Sequence, residues 1–270
     1  MTRPRSSDEF KLWSSPSTCG ALAHPRLEQW YKTTQNNVVT QLQDDDLLSR
    51  LPGLLDGAAE AFAGGRNGAR LFGVGRDAKK ALEWQRKPVA SFIEKLYRLN
   101  VVENSEFPSP PADGWITPVS SLRFGGIDDI VRSTVVVAYA DAAPFLAEFL
   151  ISEAGRCGYK CTSKDHTKEK GYYAHHWYLA TEVDIAHDDG TFSKIAVPVE
   201  VQITTELQAA LREVTYRLYQ DERLAGDVPD DWKTNFGSGR FRAAYMAHSL
   251  RFIEAMIVDL RNITMGADHK

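Results

Sequence analysis

The sequence contains no hydrophobic run long enough to cross a membrane. Its longest uninterrupted apolar stretch, residues 135–140, has six of the 270 residues, whereas a transmembrane helix needs about 20. Residues 1–9 carry charged and hydroxyl side chains in place of the apolar segment of a secretory signal. We therefore expect a cytoplasmic protein with no membrane partner.

Cysteine and excess positive charge are also scarce. The three cysteines are Cys19, Cys157 and Cys161, and the last two lack the second pair of ligands that a structural zinc site needs. We therefore expect reduced thiols. The 32 Lys and Arg are outnumbered by 36 Asp and Glu, for a net charge of −4. This balance argues against broad coating of nucleic acid or membranes and leaves room for a local basic site.

The first quarter of the chain predicts an arm followed by helices. Residues 1–23 are rich in proline, arginine and serine and show little periodicity, so we expect a mobile arm. Apolar residues then recur at helical spacing from Leu27 to Leu42, and a second helix is predicted over residues 54–63. We interpret residues 24–270 as a single domain with N-terminal and C-terminal helical extensions.

The middle of the chain switches to strand periodicity. Strands are predicted over residues 129–139, 173–185 and 194–204, with Asp188-Asp189-Gly190 as the turn of an antiparallel hairpin between the last two. Further helices are predicted over residues 88–100, 141–155, 206–220 and 241–261. In two of them, Asp141 is the expected N-cap, and four residues are expected to face the core: Leu207, Leu211, Val214 and Leu218. This order predicts a mixed α/β fold flanked by helices.

A basic helical face and two acids are the first candidates for chemistry. Spacings of four, four and three residues place Lys87, Ser91, Lys95 and Arg98 on one face of the helix at 88–100, where a solvated basic face is the alternative. Asp129 opens a strand, and Glu200 projects with Gln202 from the polar side of another. Two acids on neighbouring strands suit Mg²⁺ and general-base chemistry, although local ion pairs would explain each acid alone.

A second basic segment precedes a pair of tyrosines. Four lysines, Lys160, Lys164, Lys168 and Lys170, lie in a predicted loop that leads into Gly171-Tyr172-Tyr173. Lysines on phosphates and a ring stacked on a base would suit a nucleotide. A solvated charge run is the alternative, and a structural role is the default for His175 and His176.

Four segments form an ordered set along the chain. They are Lys87-Pro88-Val89-Ala90-Ser91 with Glu94-Lys95-Leu96, Asp129-Ile130-Val131-Arg132, Gly171-Tyr172-Tyr173-Ala174 with His176, and Pro198-Val199-Glu200-Val201-Gln202-Ile203 with Thr205. In this order, over about residues 85–220, they resemble the synthetase domain of the RelA/SpoT-homologue family, which makes the alarmone (p)ppGpp.

The resemblance implies a nucleotidyltransferase-like fold, with a mixed β-sheet core flanked by helices. It implies an ATP-dependent pyrophosphokinase that uses Mg²⁺ and transfers the β,γ-diphosphate of ATP to the 3′-hydroxyl of a purine nucleotide. The implied site has three parts. ATP would bind at Lys87, Ser91, Lys95, Arg98 and Arg132. Catalysis would use Asp129, Glu200 and Gln202, the first two also holding Mg²⁺. The acceptor would bind at Tyr172, His176, Lys164 and Lys170.

The sequence also departs from the family's pattern. Thr134, Tyr173 and Thr204 stand where the family has arginine, and Arg132 stands where glycine is usual. These departures resemble the small toxic members of the family, whose acceptor can be an adenine nucleotide or the 3′ CCA end of tRNA. An antitoxin and a homo-oligomer stay open as partners. Fewer arginines predict that GTP is not favoured over GDP.

A non-catalytic nucleotide or RNA sensor on the same fold is the remaining alternative, since a fold does not fix a function. The presence of both Asp129 and Glu200 argues against it. A partner hydrolase domain is not expected, because His187-Asp188-Asp189 lies in a predicted turn without upstream helical histidines.

Overall fold

A computed structural model describes residues 3–73, 82–167, 171–186, 191–225 and 230–266. The chain divides into two compact units. The first comprises Met1–Ser49, Trp84–Ser133 and Tyr178–Glu200, and the second comprises Arg50–Glu83, Thr134–Trp177 and Val201–Lys270. The single-domain interpretation after residue 23 stays a prediction. The turn predicted at Asp188-Asp189-Gly190 lies outside the described residues.

The described part contains eight α-helices and five strands. The helices are α1 Ser7–Trp13, α2 Arg26–Asp44, α3 Asp46–Ser49, α4 Leu51–Gly65, α5 Val89–Tyr97, α6 Ala142–Arg156, α7 Glu206–Ala225 and α8 Gly239–Gly266. The strands are β1 Gln85–Arg86, β2 Val131–Val137, β3 Cys161–Asp165, β4 His175–Ala186 and β5 Phe192–Thr205. They form one sheet in the order β1-β2-β5-β4-β3, so the predicted mixed α/β class is confirmed.

The beginning of the chain is packed onto the first unit. Ser6 caps α1 by accepting a hydrogen bond from the N–H of Glu9, and α1 packs against α5. Phe10, Cys19 and Leu22 are fully buried. The prediction of a mobile arm over residues 1–23 is therefore wrong for the residues that the structure describes, because buried apolar side chains anchor this segment.

The helices α2 and α5 form the centre of the first unit. Of the periodic residues predicted for α2, Thr34, Val38 and Leu42 are buried, whereas Leu27 and Trp30 are half-buried; Tyr31, which was not predicted, is fully buried. Tyr31 stacks on Phe92 of α5, and Phe92 and Leu96 are also buried. The α-helix predicted over residues 88–100 ends at Tyr97 and continues as a π-helical turn, Arg98–Val102.

In the second unit, α4 packs against α6. Asp141 occupies the N-cap position of α6, but its side chain makes no capping hydrogen bond. It binds the guanidinium of Arg261 at 3.0 and 2.8 Å and Nε of Arg66 at 2.9 Å. The predicted capping role is wrong, since two arginines hold both carboxylate oxygens. Burial would raise the pKa of Asp141, but these hydrogen bonds and charges outweigh it and lower the pKa.

The strand β3 was not predicted. Cys161–Asp165 falls in the segment interpreted as a basic loop, and that interpretation is wrong for these five residues. The strand lies at the edge of the sheet, and four of its residues are exposed. Without a buried face, its sequence shows no alternation of apolar and polar residues.

The helix α7 differs from the prediction in the side that it buries, and α8 buries small residues. Leu207 and Val214 of α7 are 37% and 80% exposed, so their predicted core positions are wrong. On α8, alanines such as Ala244 and Ala247 are buried, while most large apolar residues are exposed. A Cβ on Gly171, whose φ is +82°, would lie 2.7 Å from the Ala247 side chain. This close approach explains why α8 presents small residues inward.

In the described ranges, no helix is both long and apolar enough to span a membrane.

Candidate functional site

A short antiparallel ladder in the first unit brings Lys87 beside Asp129. The strand β1 pairs with the beginning of β2, and the N–H of Lys87 then donates to the carbonyl oxygen of Ile130 at 2.9 Å. Pro88 follows Lys87 and is the N-cap residue of α5. Lys87 is therefore fixed between a strand and a helix, next to the residue that precedes β2.

Two lysines converge on one carboxylate at this point. Nζ of Lys87 lies 2.7 Å from Oδ2 of Asp129, and Nζ of Lys95 lies 3.6 Å from Oδ1. All three side chains are mostly buried, with exposures of 16%, 24% and 19% for Lys87, Lys95 and Asp129. We call these three residues the lysine–aspartate cluster. The structure thus brings together three of the predicted site residues.

The charges around Asp129 keep its carboxylate ionised. Burial would raise the pKa of Asp129, but Lys87 and Lys95 outweigh burial and hold the pKa below its ordinary value. Arg132 of β2 contributes in the same direction. Arg132 was predicted to bind ATP, and its charge lies within electrostatic reach of the cluster.

The other predicted catalytic acid is held by an unpredicted tyrosine. Glu200 of β5 is only 4% exposed, and the hydroxyl of Tyr178 on β4 donates to its Oε1 at 3.2 Å. Burial raises the pKa of Tyr178, and the negative charges of Glu200, Asp128 and Asp129 raise it further. Tyr178 therefore lies within electrostatic reach of these three acids.

Two further residues of the predicted ATP face differ in their surroundings. Ser91 lies on α5 one turn before Lys95 and is half-buried. Arg98 is exposed, and its Nε pairs with Glu103 at 2.9 Å. The structure therefore keeps Ser91 near the cluster along α5, whereas it gives Arg98 a different carboxylate partner.

The carboxylates fit a Mg²⁺ ion that shares its ligands with phosphate. Oδ1 of Asp129 is buried and accepts no hydrogen bond, although Nζ of Lys95 lies 3.6 Å away, so this hard oxygen could exchange the lysine for a metal ion. Among the described residues, no group of three or more His, Cys, Asp or Glu could hold a metal ion. Mg²⁺ is usually bound through one or two carboxylates together with substrate phosphates, so a larger protein cage is not required.

In the second unit, two predicted acceptor residues contact each other. The hydroxyl of Tyr172 lies 2.9 Å from Nε2 of His176, which is buried on β4. The ring of His166 lies 4.0 Å from the ring of His176. The spacing of four residues between Tyr172 and His176 thus becomes a hydrogen bond that fixes the tyrosine ring.

Arg212 of α7 joins this group and was missed by the sequence analysis. Its Nη1 donates to the amide oxygen of Gln202 at 2.7 Å, and its Cζ lies 5.7 Å from the ring centroid of Tyr172. Arg212 follows Gln202 by ten residues on a different element, so no local pattern connects them. Arg212 therefore supplies a positive charge near Tyr172 that the comparison with the family's arginines did not consider.

The next tyrosine points to a different neighbourhood. The hydroxyl of Tyr173 is hydrogen-bonded to Nδ1 of His248, and the guanidinium of Arg251 lies 5.6 Å from its ring centroid. Burial raises the pKa of Tyr173. Lys164 is exposed on the edge strand β3, and Lys170 lies outside the described residues.

Comparison with known proteins identifies the fold. Neither a protein-family model nor a curated protein sequence matches the chain. Small alarmone synthetase 1 from Bacillus subtilis, in a structure bound to its product pppGpp, matches with a TM-score of 0.52 and 18% identity over 85% of this chain and 97% of that one. A GTP pyrophosphokinase family protein from Streptococcus pneumoniae matches with a TM-score of 0.53 and 16% identity over 88% and 95% of the two chains.

These matches cover nearly the whole length of both neighbours, although fewer than one residue in five is identical. The expectation drawn from the four sequence segments is therefore confirmed for the fold: the chain has the fold of the small alarmone synthetases.

Proposed function

We propose that the protein is an ATP-dependent pyrophosphokinase, which transfers the β,γ-diphosphate of ATP to the 3′-hydroxyl of a purine nucleotide in (p)ppGpp-type synthesis. The lysine–aspartate cluster is the observation that carries this proposal. Two ammonium groups meet one mostly buried carboxylate there, in a fold that the chain has in common with small alarmone synthetases.

The cluster supports a donor-nucleotide site on charge grounds. Lys87, Lys95 and the nearby Arg132 supply three positive charges, against the negative charges of Asp129 and of Asp128, which lies within electrostatic reach of Lys95. Lysine is a common phosphate ligand in proteins. We assign the phosphates of ATP to Lys87 and Lys95, with Ser91 and Arg132 beside them. Arg98 would first have to leave Glu103.

We propose Mg²⁺ as the metal, held by Asp129 together with Glu200. Oδ1 of Asp129, which accepts no hydrogen bond, supports this choice. When bound, Mg²⁺ would neutralise charge on the transferred phosphates. The chain's own contribution is to hold the Asp129 carboxylate ionised through the two lysines and to orient the Glu200 carboxylate through the hydroxyl of Tyr178.

Glu200 is the proposed general base. It would take the proton of the acceptor's 3′-hydroxyl while that oxygen forms a bond to the β-phosphorus of ATP. The bond between the β-phosphorus and the oxygen that bridges to the α-phosphate breaks, and AMP leaves with the electron pair. The hydrogen bond from Tyr178 fixes the orientation of the Glu200 carboxylate. Catalysis of this kind depends mostly on positioning and charge neutralisation.

We assign the acceptor to the group around Tyr172 in the second unit. The hydrogen bond to His176 fixes the orientation of the tyrosine ring, which would stack on the purine base. Gln202, held by Arg212, would orient the ribose. Lys164 and Lys170 are proposed to contact acceptor phosphates.

The acceptor's phosphate number is a separate question within this proposal. Thr134, Tyr173 and Thr204 replace three family arginines, which supports GDP, an adenine nucleotide or a tRNA end over GTP. One lost charge-assisted hydrogen bond is worth about 1.5–3 kcal/mol, or tenfold and more in preference. Arg212 restores one cation near Tyr172, so we expect GTP to be used but not preferred.

The test is group transfer with ATP, Mg²⁺ and a panel of acceptors: GTP, GDP, GMP, ATP, ADP, AMP and deacylated tRNA. We expect AMP and a 3′-diphosphorylated product in equal amounts. A clear preference for GTP over every other acceptor would contradict the arginine argument alone. Nucleotide binding without AMP release for any acceptor would contradict the enzyme proposal and favour a sensor.

A further inference from the structure

Gln35 is a buried polar residue of α2, in the same unit as the lysine–aspartate cluster. It is only 3% exposed, and its Nε2 donates to the main-chain carbonyl oxygens of Lys87 and Ile130, both at 2.9 Å. A side-chain amide has two N–H groups and can serve two acceptors at once. One side chain of α2 therefore ties the backbone of residue 87 to the backbone of residue 130.

These two carbonyls belong to the segments that carry the cluster. Lys87 is a member of the cluster, and Ile130 directly follows Asp129. The carbonyl of Ile130 also accepts the N–H of Lys87 at 2.9 Å, so Gln35 completes a three-way junction. A displacement of either segment would change the 2.7 Å distance between Nζ of Lys87 and Oδ2 of Asp129.

The helix α2 also supports the helix that carries the third member of the cluster. Tyr31, one turn before Gln35, stacks on Phe92 of α5 with ring centroids 4.3 Å apart. Both rings are fully buried, and Phe92 precedes Lys95 by three residues. Burial raises the pKa of Tyr31, and the charge of Asp129 raises it further, which places this ring within electrostatic reach of the cluster.

We propose that Gln35 is a positioning residue of the donor site, which sets the separation of Lys87 and Asp129 and thereby the affinity for the donor nucleotide. The identity of that ligand rests on the proposed function, whereas the junction of Gln35 with the two carbonyls does not. The proposal makes the N-terminal helix α2 part of the donor site, outside the four segments that carry the family resemblance.

Two substitutions isolate the two N–H groups. Gln35→Met keeps the length of the side chain and removes both donors, and Gln35→Glu keeps its shape but turns acceptor oxygens toward two carbonyls. Asn37→Leu is the matched control on the same helix. Nδ2 of Asn37 also donates to a main-chain carbonyl, that of Asp184 at 3.2 Å, but this exposed contact does not involve the cluster.

The first measurement is calorimetric binding of a non-hydrolysable ATP analogue, and separately of GDP, at a temperature where every variant is folded. We expect both Gln35 variants to raise the dissociation constant of the ATP analogue about tenfold or more, as the loss of two hydrogen bonds predicts. GDP binding, and both ligands with Asn37→Leu, should change less than about twofold. Equal losses for donor and acceptor would overturn the proposal.

The second measurement needs no ligand. A double-mutant cycle in urea unfolding combines Gln35→Met with Asp129→Asn, because residues that act through one another show non-additive effects. We expect Gln35→Met to destabilise the protein less when the Asp129 carboxylate is already absent. Additive effects would overturn the proposal even if nucleotide binds. If the cycle is non-additive but the protein transfers no diphosphate group, the positioning role of Gln35 would be supported and only the proposed function would be contradicted.

Discussion

The replacement of Asp129 by Asn tests the lysine–aspartate cluster most directly. Asparagine keeps the volume of the side chain and removes the negative charge that Lys87 and Lys95 meet at 2.7 and 3.6 Å. Two ammonium groups, each at least three-quarters buried, would then lack their shared carboxylate. We expect two separable losses, one in transfer and one in stability.

The loss in transfer follows from charge stabilisation. A carboxylate that holds Mg²⁺ near the transferred phosphates contributes several kcal/mol to the transition state, and each 1.36 kcal/mol changes the rate tenfold. We therefore expect Asp129→Asn to lower kcat by about a thousandfold or more. Because the pair is partly solvated, breaking it should cost only about 1–3 kcal/mol of unfolding free energy, so the variant should remain folded.

The control is Asp141→Asn in the second unit. Asp141 is likewise a carboxylate that two cations hold, at 2.8–3.0 Å, and its pKa is likewise lowered. Its loss should reduce stability and leave kcat within a few-fold. The assay measures AMP release and urea unfolding on the same samples. Near-normal turnover of Asp129→Asn, or a loss no larger than that of Asp141→Asn, would refute the reasoning.

Three further predictions concern the two lysines of the cluster, the contact of Tyr178 with Glu200, and the pH dependence of stability. Lys87→Ala and Lys95→Ala should each weaken binding of an ATP analogue more than binding of GDP in calorimetry, and equal losses would move the two lysines to the acceptor side. Tyr178→Phe removes the hydrogen bond to Glu200, so kcat should fall about tenfold, as the loss of one hydrogen bond to a charged group predicts, while binding of an ATP analogue changes less. Unchanged turnover would contradict the general-base assignment. The pKa values of Asp129 and Asp141 are lowered in the folded protein, so both carboxylates stabilise the fold fully above the ordinary carboxyl pKa. This stabilisation is lost as the pH falls through the lowered values. Unfolding free energy should therefore decline below about pH 4, and less steeply in either Asn variant.

The three members of the cluster were each predicted as site residues from local patterns, but their meeting was not predicted. The spacing of eight residues predicted Lys87 and Lys95 on one helical face, although Lys87 lies just before the N-cap of α5. Asp129 was predicted to open a strand rich in β-branched residues, and in the structure β2 begins at Val131. Tyr172 and His176 are four residues apart and form a hydrogen bond. Such neighbours along the chain can be inferred from periodicity, since an element's geometry fixes where they project.

The residues that the sequence analysis missed depend on tertiary contacts. Arg212 reaches Gln202 from another element, and Gln35 reaches backbone more than 50 residues away. The one sequence signal for Gln35 was its position on the apolar face of α2. A buried amide needs a hydrogen-bond partner, so this position indicates a polar contact. Periodicity also could not predict which side of α8 is buried, because apolar residues lie on both sides of this helix. Close packing against Gly171 determines that the side with the alanines is buried.

The charge balance of the cluster connects these observations with the proposed reaction. Without a nucleotide, the single carboxylate of Asp129 is the anion that holds Lys87 and Lys95 together, against a burial cost that would otherwise raise its pKa. A polyphosphate would bring further anions to the same two ammonium groups, so they would no longer depend on Asp129 alone. The carboxylate could then serve a metal without leaving either lysine unpaired. Gln35 acts on backbone atoms rather than on these charges, so it can hold both segments in place while the side chains exchange partners. In the proposed donor site, the Gln35 junction and the lysine–aspartate ion pairs would therefore have complementary roles.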